Sequence, residues 1–268
     1  VIEWLIQRAA DDPQLAIGVP PEGLLSAPET AVYDSLYSAK RRKDWLLGRW
    51  TAKRLVQAAA ERSGGRRLSC SEISILAAKD GAPEVWLGED GCLSRGDCNI
   101  SISHSSDVSL CAVLTPGARL LGADIEAIET RSSRFVEDYF TEEEIEAVSQ
   151  TPPESRDCLI TAIWSGKESA LKAVREGLRL DTRSVSCKFT HSGTSTHSGT
   201  STHPGTGGYK GESLDWSPFT VQWHYKHEDM SFPQLVGWHR IWGDFILTLV
   251  VTGEPQHSHS SGGIWEQH

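Results

Sequence analysis

No run of about 18 apolar residues occurs in the 268-residue chain, so the sequence offers no helix that would span a membrane. The N-terminal stretch VIEWLIQRAADDP lacks the basic segment followed by an apolar core that marks a secretory leader. None of the six cysteines (Cys70, Cys92, Cys98, Cys111, Cys158, Cys187) stands in a C-x-x-C, which argues against a disulfide framework or a zinc site. Reduced thiols in a cytoplasmic protein are the simpler expectation. Positive charge is also in deficit, with 26 Lys and Arg against 36 Asp and Glu and a net charge of -10. That balance disfavours a nonspecific partner such as nucleic acid or an anionic membrane. The remaining composition, 38% hydrophobic and 23% charged, is that of a soluble globular protein.

Against the acidic average, AKRRKDWLLGRWTAKRLVQAAAERSGGRR (39–67) groups its positive charges on one side of a helix whose apolar positions include Trp45, Leu46, Trp50, Leu55 and Val56. Gly64 and Gly65 end it. EISILAAKDGAPEVWL reads as two strands about an Asp80-Gly81 turn. NISISHSSDVSLCAVL reads as two more, broken at His104 and Ser105. TPGARL (115–120) is a turn and a plausible boundary between an N-terminal lobe (1–118) and a C-terminal lobe (119–254).

In the second lobe LLGADIEAI is a short apolar strand carrying carboxylates. SSRFVEDYFTEEEIEAVSQTPP is a helix or helix pair, with Thr141 and Glu144 forming a capping box and Pro152 and Pro153 stopping it. A helix from about Asp157 to Gly177 follows. The strands SVSCKFT, FTVQWHY and GDFILTLVV complete the lobe. The hexapeptide repeat HSGTSTHSGTSTHPGTGG has no apolar face to bury and predicts a disordered insertion at about 190–208. The tail, 255–268, is expected to be flexible.

Asp124 and Glu126 lie two apart on a strand, so both side chains leave the same face. Either both meet solvent at a strand end, or a divalent cation relieves their repulsion, for which hard oxygen ligands suit Mg²⁺. Within TAIWSGKESALKAV (161–174), Ile160, Ile163, Trp164, Leu171 and Val174 form one apolar stripe with Lys167 at its centre. A buried unpaired ammonium is costly, so Lys167 snorkels, has a buried partner, or awaits a ligand. Glu168 and Lys172 stand four apart on the flank of the stripe, either as an exposed ion pair or as part of a phosphate-and-metal site. Ser103 and His104 offer a hydroxyl, an imidazole and backbone N–H groups to an anion, but no nucleophile elbow flanks them. The basic residues Lys40, Arg41, Arg42, Arg49 and Lys53 are a solvated face or an anion site.

Taken in order, KRRKDWLLGRWTAK, DGAP, SISHS, GADIE, FTEEE and WSGKESALK resemble the 4'-phosphopantetheinyl transferases, in their longer, surfactin-synthetase-activating class. The resemblance is strong over 39–177 and most specific in GADIE followed by WSGKESALK. It implies an α+β fold of two similar lobes related by pseudo-two-fold symmetry, each a small antiparallel sheet packed on a long helix, and a monomer. It implies transfer of the phosphopantetheine arm of coenzyme A to a serine of an acyl or peptidyl carrier protein, in fatty-acid, polyketide or nonribosomal-peptide synthesis. Adenosine 3',5'-bisphosphate is released. By the same resemblance Asp124, Glu126 and Glu168 hold Mg²⁺, with Mn²⁺ as an alternative, and Glu168, Lys172 and Asp124 carry catalysis. The resemblance also implies coenzyme contacts at Arg42, Arg49, Ser103, His104 and Lys172, and Lys40, Lys53 and Lys167 are further expected contacts.

The chain departs from the family pattern at Gly81-Ala82-Pro83, where Ala82 replaces a phosphate-binding lysine, and Lys40 or Lys53 is the candidate to compensate. Two rival readings are a metal-dependent phosphodiesterase or nuclease, which D-x-E with E-x-x-x-K also suits, and a non-catalytic coenzyme A binder. The acidic charge and the lack of an aromatic-basic stripe weigh against the nuclease.

Overall fold

The computed structural model describes residues 2–88, 92–116, 119–189, 216–224, 232–253 and 264–266. The first half runs β1 (Ile2–Arg8), α1 (Pro13–Ala16), α2 (Ala27–Asp34), α3 (Ala39–Arg62), β2 (Ile73–Ala77), β3 (Pro83–Leu87), β4 (Ser94–Arg95), β5 (Asn99–Ser105) and β6 (Val108–Leu114). The second runs β7 (Leu121–Ala127), α4 (Ser133–Tyr139), α5 (Glu142–Gln150), α6 (Pro153–Ala173), β8 (Val185–Phe189), β9 (Ser217–Trp223), β10 (Leu235–Trp242) and β11 (Phe245–Thr252). A short β12 (Ile264–Glu266) then lies parallel to β1.

The architecture is α+β, and one order of elements occurs twice. In each half the first strand pairs antiparallel with the last, and the long helix lies between the first strand and the rest of the sheet in sequence. The second half is one sheet of order β7-β11-β10-β9-β8. The first is split into β12-β1-β6-β5 and β2-β3-β4.

Side-chain alternation along these strands decides what meets what. Ile2 and Trp4 of β1, Leu110 and Ala112 of β6, Ala123 and Ile125 of β7, and Leu247 and Leu249 of β11 share one core between the two sheets. The opposite face of the first sheet, with Cys111 and Val113, packs on Ala52, Leu55, Val56 and Ala59 of α3. In β7 the alternation sends Gly122, Asp124 and Glu126 to the other side from that shared core, towards α6. Each buried Leu or Ile is worth about 1.5–3 kcal/mol. A one-residue slip of β7 would exchange that gain for a carboxylate in the core, which holds the register.

Two buried ion pairs repeat at equivalent places, on helix segments reading Trp-Thr-Ala-Lys (50–53) and Trp-Ser-Gly-Lys (164–167). Lys53 of α3 pairs with Glu29 and donates to the carbonyls of Leu24 (2.6 Å) and Cys70 (2.9 Å). Lys167 of α6 pairs with Glu144 at 2.7 Å and donates to the carbonyls of Thr182 (2.9 Å) and Val185 (2.7 Å). Each glutamate belongs to the capping box of the short helix that precedes the long one, Ser26 with Glu29 and Thr141 with Glu144. Each also accepts a strand N–H, from Ile75 (2.9 Å) and from Cys187 (2.8 Å). The lysine thus fastens helix cap, long helix and neighbouring strand together without leaving an unpaired charge.

Several boundaries differ from the sequence expectation. The β5–β6 turn is formed by Ser106 and Asp107, at φ 47° and 64°, rather than by His104 and Ser105. These two residues take the left-handed conformation that a tight hairpin demands, and a short polar Asp tolerates it there. Of the two alternatives for 132–153 the helix pair is realised, with Thr141 as N-cap of the second helix, whereas α6 begins at Pro153 rather than near Asp157, because proline is well placed in a first helical turn. The strands β1 and β10 were not anticipated. Ile264–Glu266 runs along β1 instead of remaining a loose tail, while the polar repeat lies outside the described residues.

Candidate active site

The site is built where α6 crosses β7. A Cβ on Gly122 would lie 1.9 Å from the Ser169 carbonyl oxygen and 2.7 Å from the Ala173 nitrogen, so only glycine lets helix and strand touch there. That approach brings Glu168 and Lys172 of α6 against Asp124 and Glu126 of β7. Lys172 Nζ donates to Asp124 Oδ1 at 2.6 Å and to Ser103 Oγ at 3.1 Å, and lies 3.4 Å from Glu168 Oε2. Asp124 is 1% exposed.

From the first half, β5 supplies Ser103, whose hydroxyl donates to Asp124 Oδ1 at 2.7 Å. Its neighbours on the same strand face close the seam: Ser101 Oγ accepts from Ala123 N–H (2.9 Å) and Ser105 Oγ from Ala127 N–H (3.2 Å). The SISHS segment therefore joins the halves by satisfying backbone donors on the free side of β7. His104, on the opposite face of β5, is exposed.

Glu126 is held from two sides, by Trp164 Nε1–H donating to Oε1 (3.1 Å) and Arg131 Nη2 donating to Oε2 (3.1 Å). Arg131 itself lies 4.7 Å over the Phe135 ring, and Phe135 and Tyr139 of α4 pack edge-on against Trp164. Burial, and after it the neighbouring Asp124 charge, pushes the Glu126 carboxyl up to about 7. Glu168 is raised by the same causes in the same order, with Lys172 opposing. Burial disfavours the Lys172 charge, but Asp124 and Glu168 outweigh it, and its ammonium is held above the ordinary lysine range.

Among the described residues no three carboxylate, imidazole or thiol groups already converge on a metal position. The donor set nevertheless fits a hard divalent cation. Asp124 Oδ2 is buried without a hydrogen-bond partner, and two neighbouring carboxyls are raised first by burial and then by the Asp124 charge, a repulsion that a cation would relieve.

The structure thus brings Asp124, Glu126, Glu168, Lys172 and Ser103 together. It does not bring the other expected coenzyme contacts to them. Lys53 and Lys167 are corrected outright: both side chains are fully buried and their donors are spent on a glutamate and two carbonyls. The apolar stripe gave the right warning about Lys167, and its answer is a buried partner. Lys40 is 89% exposed beside Asp44, and Arg42 lies over Tyr33, 5.2 Å from the ring. Arg49 is largely buried over Trp45 and 3.8 Å from Glu29. Burial lowers its guanidinium below the usual range, against the pull of Glu29. Sequence reasoning placed Trp164 only in the apolar stripe and missed Arg131. Trp164 lies four residues before Glu168, which is a helical-face signal, whereas nothing local marks Arg131.

A sequence model of the 4'-phosphopantetheinyl transferase superfamily matches residues 120–236. A holo-[acyl-carrier-protein] synthase of Geobacillus kaustophilus is 33% identical over 94 residues, which is 35% of this chain and 69% of that protein. The chain belongs to the 4'-phosphopantetheinyl transferase superfamily. As a member it is a phosphopantetheinyl transferase, and Asp124, Glu126, Glu168 and Lys172 all fall inside the matched region. Among solved structures, a holo-(acyl-carrier-protein) synthase from Bacillus anthracis in complex with CoA (3',5'-ADP) aligns over 42% of this chain and 91% of its own, with 20% identity and a TM-score of 0.32. The enzyme from Plasmodium yoelii aligns over 44% and 94%, with 18% identity and a TM-score of 0.33.

Proposed function

We propose that this transferase moves the 4'-phosphopantetheine arm of coenzyme A onto a serine hydroxyl of an apo acyl or peptidyl carrier protein and releases adenosine 3',5'-bisphosphate. The observation that carries this reading is Lys172 fixed between Asp124 and Glu168, within the region that matches the superfamily. Asp124, Glu126 and Glu168 would hold Mg²⁺, or Mn²⁺ in its place, and the ion supplies positive charge to the pyrophosphate oxygens when bound.

The chain's own residues account for the remaining requirements. A phosphoryl group changes partners mainly through positioning and charge stabilisation. Lys172, kept protonated by two carboxylates, places an ammonium where negative charge grows on the leaving bisphosphate. Glu168, raised by burial and by Asp124, is suited to take the proton from the attacking serine oxygen. As that oxygen bonds to the phosphorus on the pantetheine side, the bond from this phosphorus to the bridging oxygen breaks.

Next to Lys172 lies a cavity of about 280 Å³, bounded by the Asp80–Pro83 turn, Asn99–Ile102 of β5 and the chain after α6. We place the nucleotide end of the coenzyme there, with residues 1–118 serving that end and 119–254 carrying the reaction. With both halves in one chain, a monomer suffices. All six cysteines are free thiols, in keeping with a reducing, cytoplasmic setting.

The test is to incubate the chain with coenzyme A, Mg²⁺ and several apo carrier proteins and to look by mass for the added arm. Modification that is lost in Glu168→Ala supports the reading. No transfer to any carrier refutes it.

A further inference from the structure

Beyond the last turn of α6, Arg175 takes φ +62°, a left-handed conformation that side chains other than Gly, Asn or Asp seldom hold. Glycine is the usual residue for closing a helix in this way. What arginine adds is its fork: Nε donates to Asp80 Oδ2 at 2.7 Å, and Nη2 donates to Asp80 Oδ1 at 3.0 Å and Glu84 Oε1 at 3.2 Å. Arg179 Nη1 donates to the Asp80 carbonyl at 2.8 Å. The Asp80 carboxylate also accepts from Ala82 N–H at 3.1 Å, which fixes the turn that carries it. Asp80 belongs to the β2–β3 turn of the first half, and Arg175 follows the helix that carries Glu168 and Lys172 in the second.

Asp80, Ala82, Arg175 and Arg179 all border the cavity beside Lys172. The latch therefore spans the cavity wall from one half to the other. Its pair is 35% and 29% exposed, so it contributes little to stability, whereas a planar bidentate pair fixes distance and angle between the elements it joins.

We propose that the Asp80–Arg175 latch, backed by Arg179, sets the width of the nucleotide end of the coenzyme cleft, making Asp80 and Arg175 positioning residues for coenzyme A binding. This rests on the transferase reading. The latch makes no contact with Asp124 or Glu168, so loosening it affects capture of the coenzyme and leaves proton transfer in place.

The experiment compares the full chain with Asp80→Asn, Arg175→Gly, Arg175→Lys, the Asp80→Asn/Arg175→Gly double and the exchange Asp80→Arg/Arg175→Asp. Arg175→Gly removes the fork while easing the backbone, which guards against simple misfolding. In Asp80→Asn and Arg175→Gly, KM for coenzyme A should rise about tenfold with kcat within about twofold. The double should be no worse than either single, and the lysine variant and the exchange should recover part of the loss. Unchanged KM, additive losses, or a fall in kcat alone overturns the proposal. Calorimetric Kd for coenzyme A separates the two readings. If the wild type binds coenzyme A but transfers nothing, the transferase reading fails and the latch is judged on Kd. If it binds no coenzyme A, both fail.

Discussion

Replacing Lys167 with methionine removes an ammonium that serves three oxygens inside the core. Glu144, 3% exposed, would keep its bonds from the N–H groups of Thr141 and Cys187 but lose its counter-ion. Removing one member of a buried ion pair costs about 3–5 kcal/mol. Each carbonyl left without its donor adds about 1 kcal/mol, while the similar volume of methionine keeps the packing loss small. The sum is about 5–7 kcal/mol, a large part of the roughly 5–15 kcal/mol that holds a typical domain folded. For a chain of this size the melting midpoint should fall by roughly 10–30 °C. Thermal and urea unfolding followed by tryptophan fluorescence measures it. Coenzyme A affinity of the folded variant, measured well below its midpoint, should be unchanged, because Lys167 has no donor left to offer. An unaltered midpoint together with a large loss of coenzyme affinity would falsify this assignment and return Lys167 to the cleft.

Other perturbations separate the roles within the site. Asp124→Asn removes the negative charge that faces Lys172 and turns one of the two carboxylate oxygens into a donor, so transfer should fall by about 10²-fold or more, read by mass from a carrier; a loss under tenfold would count against the site. Trp164→Phe keeps the aromatic packing but deletes the donor to Glu126, and should lower transfer with a midpoint shift of only a few degrees; full activity would show that this hydrogen bond is idle. Glu126 has a folded value of about 7 against an ordinary 4.5, so the native state holds a proton that the unfolded chain has released across that window. Its contribution to metal-free stability is complete below about 4.5 and is lost as pH rises through about 7. Melting against pH checks this, and Mg²⁺ titrated in buffers of different ionisation heat should show proton release with affinity weakening below pH 7. Absence of proton uptake or release would refute the role given to Glu126.

Much of the site was legible because its parts are local. Two residues apart on a strand means one face, which put Asp124 with Glu126. Four apart on a helix means neighbours, which put Glu168 with Lys172. The capping box of Thr141 and Glu144 was legible for the same reason, and is realised with Thr141 N–H donating to Glu144 at 2.9 Å. The partners of the lysines were not legible, since Glu144 reaches Lys167 and Glu29 reaches Lys53 only after separate helices dock. Ser103, expected at a strand-to-turn junction beside His104, lies instead within β5. With the turn at Ser106-Asp107, β5 continues through Ser103 and aims its hydroxyl at Asp124.

The sequence by itself determined the periodicities: which strand faces carry apolar side chains, where helices begin, and that carboxylates and lysines would gather on β7 and α6. Those follow from backbone geometry repeated every two or every 3.6 residues. Tertiary structure alone decided which charges are spent and which are free. Lys167 and Lys172, on one helix and five residues apart, differ only in what packs against them. Lys167 meets a buried glutamate and two carbonyls, while Lys172 meets Asp124 across the glycine gap at Gly122 and borders the cavity. Lys167 is fully buried and Lys172 partly so, and the glutamate and aspartate that offset the cost, Glu144 and Asp124, come from other elements of the chain.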